Sequence, residues 1–135
     1  MKFIKVSQKE LKDITELYEE VMGDAYEGLF YQEGKSIGKG IMDIISAKPG
    51  YRKKAGNLIK AKGWAEEIFL KDNVAIVEGS IEVSPPSETP TCHRLRGIIY
   101  QIYEAGTKEL LDVEEVECQS MGDKHCKFEI NKRTY

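Results

Sequence analysis

The sequence predicts a single α+β domain, in which N-terminal helices pack on an antiparallel sheet of about four strands. The first sixty residues repeat apolar side chains at helical spacing, which is typical of amphipathic helices. Residues 64–83 and 110–130 are instead rich in β-forming residues bounded by turn residues. A further helical pattern separates these two segments, and a chain of 135 residues can enclose one core of this kind.

The first two helices are predicted from a cap and from apolar spacing. Ser7 and Glu10 form a capping-box pattern directly before apolar residues at helical spacing, which places the first helix at residues 8–22. The second helix is expected over residues 26–47. Three glycines within it favour either close packing or a break: Gly34, Gly38 and Gly40.

Two more helices are predicted from their ends. Gly63 is expected to end a short third helix that follows Pro49 and Gly50. Thr89 is a plausible cap for the fourth helix, because the proline after it suits a first helical turn. Gly106 is expected to end this helix.

The strands are predicted as two hairpins. Residues 64–70 and 74–83 form the first pair, and residues 110–118 and 126–130 form the second. A turn around Gly122 joins the second pair.

Charge and hydropathy exclude several classes of function. The net charge of −3 argues against nucleic-acid binding, which needs a basic face. No apolar run approaches the ~18 residues of a membrane helix, and the N-terminus is too short and too charged for a signal peptide. We therefore expect a cytoplasmic protein without a membrane partner. Catalysis is not expected, because the sequence has neither a glycine-rich nucleotide loop nor a nucleophile–base–acid set.

Three cysteines raise the question of a metal site. A reducing cytoplasm keeps them as thiols, and the spacing of Cys118 and Cys126 is wider than in common zinc knuckles. Spacing alone therefore favours ordinary buried cysteines. Side chains near Cys92 and the other two nevertheless supply oxygen and nitrogen donors for a tetrahedral site: Glu115, Glu117, Asp123, His93 and His125.

Two segments resemble the 4-vinyl-reductase-type domain family. In the first, Cys92 opens a helix that carries Arg96-Gly97. In the second, residues 115–128, a Glu-x-x-Cys strand is followed by a Gly-Asp turn and a closing Cys-x-Phe. The resemblance covers residues 26–131 and is strongest towards the C-terminus.

This resemblance implies the ligand-binding fold shared by NO-signalling and Golgi-transport domains. Family members include a bacteriochlorophyll-synthesis accessory protein, sensor domains of aromatic-responsive transcription activators, and stand-alone archaeal proteins. The resemblance divides the chain into an N-terminal helical extension, residues 1–25, and a ligand-binding domain, residues 26–135. The Tyr-x-Ser-x-Arg haem signature of a related branch does not occur in this sequence.

The resemblance also implies a structural zinc ion held by Cys92, Glu115, Cys118 and Cys126. A filled four-ligand site has no open position for water or substrate, so it would brace the fold. A regular strand would point Glu115 and Cys118 to opposite faces, so this ligand set requires a bulge or a strand end. Otherwise His93 or His125 would replace Glu115, because imidazole is an equally good zinc ligand.

Such a site would be negatively charged, since three thiolates and a carboxylate outweigh the charge of one zinc ion. Cations nearby are expected either to offset that charge or to be ordinary exposed residues. The candidates are Arg94, Arg96 and Lys124.

The family's aromatic-sensing members imply an apolar cavity between the helices and the sheet, where small-molecule sites of such folds generally lie. Trp64 is expected at the rim, with its indole N–H able to donate to a ligand oxygen. The expected walls are Phe30, Ile37, Ile41, Trp64, Ile68, Ile99 and Tyr103. For each of these residues, plain core packing is the alternative.

The function predicted from the sequence is a zinc-containing domain that binds a small apolar or aromatic ligand as a sensor or carrier. Two alternatives remain open. One is a protein–protein assembly module, as in the vesicle-tethering branch of the fold, and the other is an accessory factor in the reduction of a vinyl group. A homodimer formed through the helices is also expected.

Overall fold

Three helices, a strand pair, a fourth helix and a second strand pair follow one another along the chain. The computed structural model describes residues 2–133. The helices are α1 (Gln8–Met22), α2 (Tyr26–Ile44), α3 (Tyr51–Ala61) and α4 (His93–Thr107). The strands are β1 (Glu67–Leu70), β2 (Val74–Glu78), β3 (Leu111–Glu117) and β4 (Cys126–Lys132).

The four strands form one antiparallel sheet in the order β1-β2-β4-β3. The hairpins therefore meet through β2 and β4, where Val77 pairs with Cys126 and Ala75 with Phe128. All four of these residues are buried, because successive side chains alternate between the two faces and these lie on the face turned to the core. The predicted α+β class and four-stranded antiparallel sheet are confirmed.

Helix α4 lies at the centre of the core. Its main packing partners are α2 and the strand β3, while α3 packs on β1. The helix buries most of its apolar side chains: Leu95, Ile98, Ile99, Ile102 and Tyr103. Its burial on several sides gives the sequence a helical period with few polar interruptions.

Glycines allow α2 and α4 to approach very closely. A Cβ atom added to Gly34 would overlap the carbonyl oxygen of Arg94, and one added to Gly97 would overlap that of Tyr31. A Cβ at Gly38 would lie 2.6 Å from Cβ of Gln101. The helix runs through these glycines without a break, so of the two expected explanations close packing is the one that the structure shows.

Helix α1 is predicted correctly but packs loosely. Both hydrogen bonds of the capping box are present: Glu10 N donates to Ser7 Oγ at 3.0 Å, and Ser7 N donates to Glu10 Oε1 at 3.3 Å. No residue of this helix is buried, and the side chains of Leu17 and Val21 are 57% and 74% exposed. Helix α1 therefore covers the rest of the molecule without contributing to its core.

The start of the fourth helix was predicted too early. It begins at His93, not next to Thr89, and the capping group comes from elsewhere in the chain. Glu82 reaches from the loop after β2 and accepts hydrogen bonds from the backbone N–H groups of Arg94 and Leu95, at 3.1 and 2.8 Å. A tertiary carboxylate thus replaces the local cap, and it also suits the positive end of the helix dipole.

The end of the fourth helix also differs. The helix continues to Thr107, and Lys108 takes the left-handed conformation, with φ of 57°. Gly106 serves a different purpose, because a Cβ there would lie 2.5 Å from the hydroxyl oxygen of Tyr51. That hydroxyl donates to the carbonyl oxygen of Ile102 at 2.6 Å.

Several other boundaries shift by a few residues. Helix α2 ends at Ile44 instead of residue 47, and Trp64 lies in the connection before β1 instead of opening the strand. The chain leaves β2 after Glu78, where Gly79 has a positive φ of 67°.

The division into residues 1–25 and 26–135 stays a prediction, and its end points at residues 1, 134 and 135 lie outside the described residues. Within residues 2–133, no helix combines the length and hydrophobicity that crossing a membrane would require.

Candidate metal centre and ligand cavities

Three thiols and one carboxylate meet in a buried cluster where α4 begins beside the second hairpin. Their ligand atoms all lie within 4.8 Å of one another, and all four residues are buried: Cys92, Glu115, Cys118 and Cys126. Cys92 is the N-cap of α4, Glu115 lies in β3, Cys118 directly follows β3, and Cys126 opens β4. Such a group of donors is able to hold a metal ion.

A bulge in β3 brings Glu115 and Cys118 to the same side. The pairing of β3 with β4 shifts between Glu115 and Glu117, which leaves Val116 as the extra residue. Val116 is 37% exposed, whereas the residues on either side of the bulge, Glu115 and Cys118, point into the core. The bulge or strand end that this ligand set required is therefore present.

The distances in the cluster suit zinc. Thiolates at a Zn–S distance of about 2.3 Å in a tetrahedral site lie about 3.8 Å apart. The sulfurs of Cys92 and Cys126 are 3.8 Å apart. Oε1 of Glu115 accepts from the backbone N–H of Cys92 at 3.0 Å, while its buried Oε2 has no hydrogen-bond partner among residues 2–133. A cation bound at Oε2 would compensate this otherwise unfavourable burial.

Hydrogen-bond donors surround the sulfur atoms. The backbone N–H of Gln119 donates to Sγ of Cys126 at 3.4 Å, and the hydroxyl of Thr91 lies 3.7 Å from Sγ of Cys118. Sγ of Cys92 lies 3.3 Å from the hydroxyl oxygen of Ser80, which can donate once this thiol is deprotonated. Such contacts orient metal-bound thiolates and stabilise their charge.

The four groups influence one another's protonation. Hydrogen bonds from Cys126 and Cys92 lower the pKa of Cys118, whereas the hydrogen bond to Cys118 raises the pKa of Cys126 to about 12. Hydrogen bonds with the other two thiols, together with burial, raise the pKa of Cys92, and burial raises the pKa of Glu115 to about 8. The cluster by itself therefore stabilises one thiolate, and a divalent cation would supply the charge needed to ionise the others.

Neither histidine joins the cluster. Nε2 of His125 lies 2.8 Å from Oε2 of Glu117, and both side chains are partly exposed. His93 is buried with its ring edge-on to Tyr26. Burial lowers the pKa of His93 to about 4, so this side chain is neutral near pH 7 and its 3.8 Å contact with Glu27 is not an ion pair there. The structure thus groups Glu115, and not an imidazole, with the thiols.

The nearby cations have other partners. Arg94 is fully buried and extends towards α1 and α2, where it makes its hydrogen bonds. Arg96 donates to the carbonyl oxygen of Val113 at 3.3 Å and stacks over the ring of Tyr31. Lys124 is exposed. Neither of the two expected roles describes Arg94, because it is neither an exposed cation nor a partner of the cluster.

A cavity of about 820 Å³, the apolar cavity, lies between the N-terminal segment and the body of the domain. Its walls include six apolar residues: Phe3, Ile4, Val6, Leu11, Ile37 and Trp64. Two of the seven expected wall residues, Ile37 and Trp64, are thus on this cavity.

The other five expected wall residues lie in the core. They are Phe30, Ile41, Ile68, Ile99 and Tyr103, and none of them lines the apolar cavity. The hydroxyl of Tyr103 donates to the carbonyl oxygen of Lys71, so the ring spans from α4 to the first hairpin. For these five residues the structure shows core packing, because α4 packs directly on α2 and the sheet.

A second cavity of about 520 Å³, the polar cavity, lies on the other side of Leu11 and Ile81, which border both. Arg94 and Glu82 form part of its wall, and the side chain of Glu82 is only 6% exposed. Burial raises the pKa of Glu82 to about 7. Sequence patterns carried no signal for this cavity, because it forms only where α1, the loop after β2 and the start of α4 meet.

Fold and site together define a small α+β domain with a buried cluster of three cysteines and a glutamate beside two cavities. The model of the vinyl-4-reductase domain family matches residues 73–132, which contain all four residues of the cluster. The resemblance to the 4-vinyl-reductase-type family is confirmed. A comparison with curated proteins gives no significant match.

Two solved structures share this fold. One is the phenol-responsive sensory domain of the transcription activator PoxR with phenol, with a TM-score of 0.79 and 16% identity, covering 98% of this chain and 77% of that one. The other is a vinyl-4-reductase family protein from Methanocaldococcus jannaschii, with a TM-score of 0.68 and 20% identity, covering 98% of this chain and 85% of that one.

Proposed function

We propose that this protein is a zinc-containing domain that binds a small apolar or aromatic molecule and acts as a sensor or carrier. The observation that carries the proposal is the apolar cavity of about 820 Å³ with Trp64 in its wall. Small-molecule sites typically occupy about 300–1,000 Å³ and are lined mainly by apolar and aromatic side chains. The similarity to a phenol-responsive sensory domain supports the same class of function.

The N-terminal segment with α1 is the side of the cavity that can be displaced most easily. Helix α1 buries no residue, so moving it would expose little of the core. Gln8 holds its start by donating from Nε2 to the carbonyl oxygen of Gly63 at 2.9 Å, directly beside Trp64. A ligand can therefore enter when this contact opens, while the core stays folded.

The zinc ion would brace the fold without taking part in chemistry. Cys92, Glu115, Cys118 and Cys126 would hold it as a closed four-ligand site, and zinc would contribute folding free energy there. The cluster joins the start of α4 to both strands of the second hairpin, so the ion would link the central helix to the sheet.

The proposed ligand site is tested with ethylbenzene as the apolar probe. Ethylbenzene should change the fluorescence of Trp64, since indole emission responds to displaced water, and it should raise the melting temperature by mass action. Trp64→Ala should weaken binding, because the aromatic contact is lost. Phe69→Ala is the matched control, since Phe69 is 49% exposed and lines neither cavity. Equal affinity of the Trp64→Ala variant and the parent would refute the site.

The oligomeric state is tested separately. We expect a homodimer formed through the helices, and sedimentation equilibrium should give twice the chain mass of 15.3 kDa. A monomer at micromolar concentration would refute this part of the proposal and leave the ligand site untouched.

A further inference from the structure

Arg94 is a buried cation with one unused donor. Its Nε donates to Oε1 of Glu33 at 2.6 Å, and its Nη1 donates to the hydroxyl oxygen of Thr15 at 2.6 Å. The guanidinium also stacks on the ring of Phe30, with its central carbon 3.6 Å from the ring centroid. Nη2 has no hydrogen-bond partner among residues 2–133, although the side chain is fully buried. Leaving a charged donor without an acceptor is unfavourable.

The carboxylates near Arg94 do not serve this donor. Both oxygens of Glu82 accept backbone N–H groups at the start of α4, and Oε2 of Glu82 is 3.9 Å from Nη1 of Arg94, beyond hydrogen-bond distance. Glu33 bonds Nε through Oε1. The nearby acceptors are thus bonded to other donors.

Arg94 lies in the wall of the polar cavity. The volume of about 520 Å³ is sufficient for a small organic molecule. Hydroxyl groups from three further segments also line it, on Thr15, Tyr26 and Thr91. An acceptor atom of a ligand held there would satisfy the guanidinium and could bond to these hydroxyls.

The charge around the cavity selects against anions. Its charged wall residues are Lys12, Arg94, Glu16, Glu19 and Glu82. Arg94 is already paired with Glu33, so acidic groups outnumber the cations that remain to attract an anion. An uncharged acceptor is not repelled by the carboxylates and can still accept a strong, charge-assisted hydrogen bond from the guanidinium.

We propose that the polar cavity is a second ligand site, which takes an uncharged small molecule that presents a carbonyl or hydroxyl oxygen to Nη2 of Arg94. The site is distinct from the apolar cavity, from which Leu11 and Ile81 separate it. Its failure would leave the proposed apolar site intact, and the reverse also holds.

The test compares benzamide with benzoate, which have similar shapes but differ in charge. The side-chain N–H resonances of Arg94 are followed by NMR and assigned through their loss in Arg94→Lys. Benzamide should shift them in a saturable manner, and benzoate should bind about tenfold more weakly or less, because the carboxylates repel it. Absence of a shift up to the solubility limit of benzamide, or equal binding of benzoate, would overturn the proposal.

A blocking variant makes the test independent of Arg94, whose replacement could unfold the protein by leaving Glu33 unpaired. Ser84 lines the polar cavity from an exposed position, and its side chain makes no hydrogen bond with the residues that the structure describes. Ser84→Trp should fill the cavity and weaken benzamide binding about tenfold or more. Ser46→Trp is the control, since Ser46 is exposed and lines neither cavity. Unchanged benzamide affinity in folded Ser84→Trp would refute the site.

Discussion

Replacing Gly34 by alanine tests the close approach of α2 and α4. A Cβ at this position would overlap the carbonyl oxygen of Arg94 and would lie 2.8 Å from its carbonyl carbon and 3.0 Å from its Cα. Because carbon atoms pack at about 3.5–4.0 Å, the two helices would have to separate by about 1 Å. The clash is with backbone, so no side-chain rotation can relieve it.

The expected effect is a net loss of stability. Alanine favours the helical state over glycine by about 1 kcal/mol, but forced overpacking costs about 1–3 kcal/mol and more where the backbone must move. Gly34→Ala should therefore destabilise the domain by about 2 kcal/mol or more. Gly40 lies in the same helix, and a Cβ added there would have no atom within 4 Å, so Gly40→Ala should instead stabilise by about 0.5–1 kcal/mol.

Urea unfolding followed by circular dichroism measures both variants. The opposite signs of the two substitutions are the decisive result, since helix propensity alone predicts stabilisation for both. If Gly34→Ala were as stable as Gly40→Ala, the helices could not be in the contact described, and the burial of Arg94 between them would have to be reconsidered.

Two further predictions concern the metal centre and the loop that caps α4. Cys118→Ser should abolish stoichiometric zinc and lower the melting temperature, since a hydroxyl is a poor substitute for a thiolate, whereas Lys127→Ser should change neither. Metal analysis and thermal melts measure this, and equal melting temperatures would indicate ordinary buried thiols. Burial raises the pKa of Glu82 from 4.5 to about 7, so the stability it provides when protonated is full below pH 4.5 and is lost as the pH rises through 7, by on the order of 3 kcal/mol. Urea unfolding between pH 5 and 8 should therefore show a smaller loss of stability in Glu82→Gln than in the parent; equal slopes would contradict the raised pKa.

Local signals predicted the parts of the fold that depend on neighbouring residues. The capping box at Ser7 and Glu10 involves four consecutive residues, and the first helix has the predicted bounds. The geometry of strands was sufficient to require a bulge between Glu115 and Cys118, and the register shift lies there.

Features that depend on distant residues could not be predicted in this way. The start of α4 is set by Glu82, which precedes the helix by a whole loop, so the local cap at Thr89 was the wrong signal. Arg94 is buried because Thr15, Phe30 and Glu33 meet it from two other helices. A sequence pattern around an arginine carries no trace of such partners, and the polar cavity was missed for the same reason.

The metal cluster and the polar cavity share the N-terminus of α4. Glu115 accepts the backbone N–H of Cys92, and Glu82 accepts those of Arg94 and Leu95, so two carboxylates hold neighbouring groups at the positive end of the helix. A shift of this terminus would change both sites. We therefore expect that a metal ion at the cluster would also fix the position of Arg94.

Native mass spectrometry of protein purified without chelators tests the central claim most directly. We expect a mass that exceeds the polypeptide by one zinc ion, and a further increase when a small apolar molecule such as ethylbenzene is retained or added. A polypeptide that carries no zinc and binds no ethylbenzene would contradict the assignment of a zinc-containing, small-molecule-binding domain.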